Sequence, residues 1–117
     1  MKKLNLNQLG GKSLQCAREK GFYEKTVTVE NELLQVIGEL SKEAFDAIRC
    51  NNRCKITPYD LGDTGFEQYV KDTFEDEIAD AIIRLLTMSA RLNIDIDGHV
   101  LAKMKYNETR EYLHGKH

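Results

Sequence analysis

Between Ile78 and Leu92 the chain places apolar side chains at Ile78, Ala79, Ala81, Ile82, Ile83, Leu85, Leu86, Met88, Ala90 and Leu92. At about 100° per residue these positions cover far more than one face of a helix. A helix that is apolar most of the way round is buried on several sides. A chain of 117 residues fits one domain with a limited core of its own. The pattern therefore predicts a central helix, packed within its chain and against a second subunit. A central helix in a monomeric bundle is the plainer alternative.

The remaining sequence reads as helices around that one. A first segment runs roughly from Asn5 to Lys20 and stops at Gly21. A second runs from about Val29 to Cys50, where Leu33, Val36, Ile37, Leu40, Ala44, Ala47 and Ile48 form an apolar stripe at helical spacing. Residues 51–65 hold Asn51-Asn52, Pro58, Gly62 and Gly65, all turn-formers, and read as a connector. The third helix is expected from about Phe66 to Leu92, and the fourth from a cap at Asp95 or Asp97 to about Arg110. Only Thr26-Val27-Thr28-Val29 hints at a strand. The expected fold is all-α, a single domain over residues 1–117 with four to five helices in a bundle.

Charge enters that apolar helix at one sector. Glu77, Asp80 and Arg84 fall close together around the axis, and ionised groups on a buried helix are costly unless paired or bound to a metal. On the second helix Glu39, Glu43 and Asp46 also share a face, beside the apolar stripe. If the two helices pack by their stripes, the acidic rows meet along one edge and offer the oxygen ligands that a hard cation such as Mg²⁺ takes. For the second helix alone, a solvated acidic face is the simpler reading. On the fourth helix Lys103, Asn107 and Arg110 lie on one face with Lys105 to the side. A cationic row with an amide suits a polyphosphate held partly by a metal, although a basic tail on a solvated helix has the same spacing.

Other features exclude more than they assign. A net charge of −2 gives no basic excess, so direct nucleic-acid binding is not expected. Met1-Lys2-Lys3 leads into no apolar run, and Asp80, Arg84 and Arg91 break the longest apolar stretches, so neither a signal peptide nor a membrane span is expected. Three cysteines without framework spacing suit free thiols and a cytoplasmic location, and Cys50 and Cys54 lack a second pair for a zinc site. His99 and His114 are isolated and read as structural.

The stretch Phe74-Glu75-Asp76-Glu77-Ile78-Ala79-Asp80-Ala81-Ile82-Ile83-Arg84-Leu85-Leu86 resembles the E-x-x-D helix of MazG-like, all-α nucleotide pyrophosphohydrolases. Asn93-Ile94-Asp95-Ile96-Asp97, Lys103, Tyr106-Asn107-Glu108-Thr109-Arg110 and His114-Gly115-Lys116 are similar to the C-terminal pattern of the family's small stand-alone members. Gly38-Glu39-Leu40-Ser41-Lys42-Glu43-Ala44 resembles the first acidic helix. The likeness covers about residues 14–116. It implies dimers or tetramers, Mg²⁺ dependence, and cleavage of nucleoside triphosphates to monophosphate and pyrophosphate. Glu39, Glu43, Glu77 and Asp80 then become the metal ligands, with a second-helix glutamate, Glu39 or Glu43, as general base. Arg84, Lys103, Asn107 and Arg110 become the substrate-binding groups. The family's first motif is E-x-x-E, and here the third residue after Glu39 is Lys42. Either Glu43 substitutes or the site lacks one ligand. A catalytically weak or inactive interaction protein on the same fold, and an enzyme acting on phosphoribosyl-ATP, are the alternatives.

Overall fold

The computed structural model describes residues 5–23 and 25–110, and among them every regular element is helical. The elements are α1 (Leu6–Glu19), α2 (Val29–Gly38), a π-helical turn (Glu39–Ala44), α3 (Phe45–Arg49), α4 (Asp63–Tyr69), α5 (Phe74–Arg91) and α6 (Ile96–Thr109). The all-α expectation holds. Thr26–Val29 forms no strand; instead the Thr28 hydroxyl accepts from the Asn31 amide and caps α2.

Two boundaries differ from the sequence reading. The helix expected from Phe66 to Leu92 is divided. α4 ends at Tyr69, Asp72 turns the chain with φ at 65°, and α5 starts anew after Thr73, whose Oγ1 accepts from the Asp76 amide. α4 also begins inside the expected connector, at Asp63. The second helix does run continuously from Val29 to Arg49, since Gly38, Glu39, Ala44 and Phe45 all keep right-handed helical angles. Its middle, however, is a wider π turn. There Ser41 Oγ donates to the Ile37 carbonyl at 2.7 Å, the acceptor that the Ser41 amide uses in an ordinary α-helix.

α5 is the axis of the fold, and α1, α2 and the π turn all pack against it. The α1 crossing is close because residue 10 is glycine: a Cβ there meets the Leu86 carbonyl oxygen at 2.5 Å. One turn on, Ser13 and Thr87 share a hydrogen bond of 2.6 Å across the same interface. At the start of α1, Asp97 accepts from the Leu6 and Asn7 amides while Asn7 Oδ1 accepts from the Ile96 amide. α1 and α6 thus cap one another, and Asp95 caps α6 through the Gly98 amide.

The buried apolar set is thin: Leu14, Val36, Ala44, Ala47, Val70, Ala81 and Leu86. From the expected second-helix stripe, the small members are buried while Leu33, Ile37, Leu40 and Ile48 are exposed. Ile82, Ile83 and Leu85 of α5 are also exposed, so a single chain leaves part of α5 uncovered. The Cα radius of gyration is 16.6 Å, against about 13 Å for a compact domain of this length. No described helix is long and apolar enough to cross a membrane.

Candidate metal and nucleotide site

The acidic rows of the two central helices meet. Oxygen atoms of Glu39, Glu77 and Asp80 lie within 4.8 Å of one another. They line a cavity of about 700 Å³ together with Glu43, Asp63, Phe66, Glu67, Lys71, Asp72 and Asp76. Lys71 is the sole cation of that lining. Asp72, Asp76 and Glu77 form a second close set, so Glu77 belongs to both.

Glu77 is the unusual member. It is only 7% exposed, yet no described group donates a hydrogen bond to its carboxylate or forms an ion pair with it. Burial, and then the charges of Asp76, Asp80, Glu39 and Glu43, push its carboxyl above the usual carboxylate range. The Asp80 side chain reaches solvent, but desolvation and the charges of Asp76 and Glu39 push it up as well, with Arg84 opposing. Oxygen-only donors, a surplus of negative charge and an unpaired Glu77 carboxylate whose oxygens stay open to the cavity together fit a hard divalent cation.

The π turn explains the position of Glu43. A π turn closes its hydrogen bond over one more residue than an α turn, so four residues fall short of a full revolution. Glu43 therefore stays on the cavity side, where an α-helix would direct a residue three after Glu39, and Lys42 is exposed off the lining. Glu43 is more peripheral than the close trio, although its charge still acts on Glu77.

Arg84 donates to Glu39 Oε1 at 3.0 Å and to Gln35 Oε1 at 3.1 Å, which braces the carboxylate at the edge of the site. Lys103, Asn107 and Arg110 are exposed, and none of them lines the acidic cavity. Lys103 and Arg110 instead flank the ring of Tyr106, at 5.3 and 5.6 Å. His114 and the block His114-Gly115-Lys116 lie outside the described residues. Sequence reasoning missed Asp72, Asp76 and Lys71; the first two sit around the cap of α5, whose existence was the signal needed. It also missed Glu32, buried on α2, whose carboxylate accepts from Tyr23 Oη at 2.8 Å and Arg91 Nε at 2.9 Å.

No family model matches this chain, and no curated protein or solved structure matches it significantly. The functional reading therefore rests on the geometry of the carboxylates and on the resemblance of the acidic helices.

Proposed function

We propose that the chain is a Mg²⁺-dependent nucleotide pyrophosphohydrolase of MazG-like type, converting nucleoside triphosphates to monophosphates and pyrophosphate. The observation that carries this reading is the convergence of Glu39, Glu77 and Asp80 on one cavity, with Glu77 held by no described donor. Glu39, Glu77 and Asp80 would hold the ion, with Glu43 joining directly or through water. A bound ion of this kind polarises phosphate oxygens and makes a coordinated water more acidic. Glu39 is tied to Arg84, which leaves Glu43 as the freer base to accept a proton from the attacking water. Lys71, which lines the acidic cavity, and Arg84, which borders it through Glu39, would meet an incoming polyphosphate.

The exposed apolar residues of α2 and α5 support assembly into a dimer or tetramer, because contiguous apolar surface is rare on soluble monomers. In such an assembly the Lys103, Asn107 and Arg110 row of one copy would serve the acidic cavity of another. If it does not, the cavity has few cations for a triphosphate, and that favours the second reading, a metal-binding interaction protein without turnover.

Pyrophosphate release from a panel of nucleotides, phosphoribosyl-ATP included, with Mg²⁺ and with chelator, tests the proposal. Release is expected only with Mg²⁺, and Asp80→Asn should abolish it while the helical circular dichroism is kept. No release from any substrate, with Mg²⁺ still bound, would hand the site to the second reading. Sedimentation at micromolar concentration should give a dimer or tetramer mass, and a clean monomer would refute the assembly.

A further inference from the structure

Among the three converging carboxylates, Glu39 alone accepts a hydrogen bond from a described group. Its Oε1 accepts from Arg84 Nη2 at 3.0 Å, while Arg84 Nη1 donates to Gln35 Oε1 at 3.1 Å. Helical spacing produces this fork. Gln35 and Glu39 are four apart and lie one above the other on the helix that faces α5, and Arg84 is four beyond Asp80 on α5 itself. A guanidinium is planar and donates in fixed directions, so one arginine can bind two stacked side chains of a facing helix at once.

The bridge does little for stability. The side chains of Arg84 and Glu39 are 42% and 23% exposed, and an ion pair that open to water contributes little to folding. The buried link between the same two helices is a different pair, Glu32 with Arg91. What the Arg84 bridge does is order one side chain. Glu77 and Asp80 both stand on α5, whereas Glu39 reaches the cluster from across the helix contact. A glutamate without a partner samples many rotamers, and a cation that binds it has to order it first. With Oε1 tied to Arg84, Glu39 is ordered beforehand and Oε2 has no described donor.

We infer that Arg84 is a positioning residue and Gln35 its anchor, the two together holding Glu39 so that Oε2 is presented to the cation shared with Glu77 and Asp80. The inference rests on the metal reading of the acidic site. It adds Gln35, which lies outside the acidic cavity, to the residues that set metal affinity. It also gives Arg84 an effect opposite in sign to its charge. By charge alone an arginine beside a divalent ion repels it and weakens binding; by holding Glu39 it strengthens binding.

Mg²⁺ alone, titrated calorimetrically into the full-length protein at low salt and at about 0.5 M KCl, separates the two effects, because salt at that level shortens the screening length to about 4 Å. Arg84→Met removes the fork and keeps an apolar stem. At high salt it should weaken Mg²⁺ binding about tenfold, the usual loss when the hydrogen-bond partner of a metal ligand is removed. Arg84→Lys keeps the charge without the fork and should restore only part of that affinity. Gln35→Leu leaves the charge unchanged and should weaken binding severalfold. The double variant Gln35→Leu with Arg84→Met should be no worse than Arg84→Met alone, since both changes break one relay. Every variant should melt close to wild type, because the bridge is exposed. Arg84→Met that binds Mg²⁺ at high salt as tightly as wild type, or losses that simply add in the double variant, would overturn the inference and leave the metal reading standing. A wild type that binds no Mg²⁺ removes the metal reading and this inference with it.

Discussion

Replacing Glu77 by glutamine should make the metal-free protein more stable. The Glu77 carboxylate lies within 4.8 Å of those of Glu39 and Asp80. Two like charges at that separation repel by about 0.9 kcal/mol even in water, roughly halved by physiological salt. Two such neighbours therefore cost about 1 kcal/mol, and the lower dielectric around a residue 7% exposed brings the total to about 2 kcal/mol. Glutamine keeps the volume, and its amide donates to the carboxylates that repelled the original side chain. For a chain of this length, 1–2 kcal/mol corresponds to a rise in Tm of about 4–8 °C. Far-UV circular dichroism melts in chelator measure it directly. Saturating Mg²⁺ should reverse the order, since an ion at a hundred times its Kd adds about 2.7 kcal/mol to the wild type and the variant loses much of that gain. A variant that melts at or below wild type in chelator would show that Glu77 has a stabilising partner and that repulsion among the three carboxylates does not govern stability there.

Three further outcomes are expected. Glu43→Gln should lower Mg²⁺-dependent turnover about as severely as Glu77→Gln while Lys42→Glu changes little, and a silent Glu43→Gln in a magnesium titration would remove that residue from the site. Gly10→Ala should destabilise by about 1–3 kcal/mol, read by urea denaturation, because the added methyl meets the backbone of α5 rather than a movable side chain. The pH dependence of metal-free stability should carry opposite signs at the start of α5 and at the cap of α6. The carboxyls of Glu77 and Asp80 are raised by burial and neighbouring charge, so the folded state binds more protons there and stability falls as pH rises from the ordinary carboxylate range through the raised values. Asp95 is lowered, first by its bond from Asn7 and then by the Gly98 amide, so its contribution is present above the ordinary range and is lost as pH falls through the lowered value. Denaturation of wild type and Asp80→Asn across mildly acidic to neutral pH checks this, with the variant expected to show the shallower decline.

The chain states its helices locally and its couplings poorly. Asn5 and Gly21 bracket α1 as side-chain cap and left-handed stop, with φ at 90° for Gly21, and both are readable from residue type. The meeting of Glu39, Glu77 and Asp80 follows from two helical spacings and one packing assumption. The break before α5 was missed because residues 68–73 contain no glycine or proline and Asp72 supplies the left-handed turn; the spacing Thr73 to Asp76 was the available cap signal. The π turn has no local signature beyond an acidic spacing of four where three was expected. Glu32 is illegible for a different reason: its partner Arg91 lies 59 positions away, and only the fold makes that carboxylate a buried, satisfied group. In the same way, the spacing of Lys103, Asn107 and Arg110 fixes a shared face but not what that face meets.

The mutual capping of α1 and α6 orders the folding of the chain. Leu6 and its acceptor Asp97 are 91 positions apart, so the clasp closes almost the whole described sequence into one loop. Closing a loop of that length is entropically unfavourable and slow compared with forming any single helix. During synthesis α1 emerges before α5 and α6, and the groups that hold its leading amides are made only after α5 is complete. α1 can therefore reach its seat on Leu86 and Thr87 once α5 is made, but its leading amides are capped only when α6 has followed.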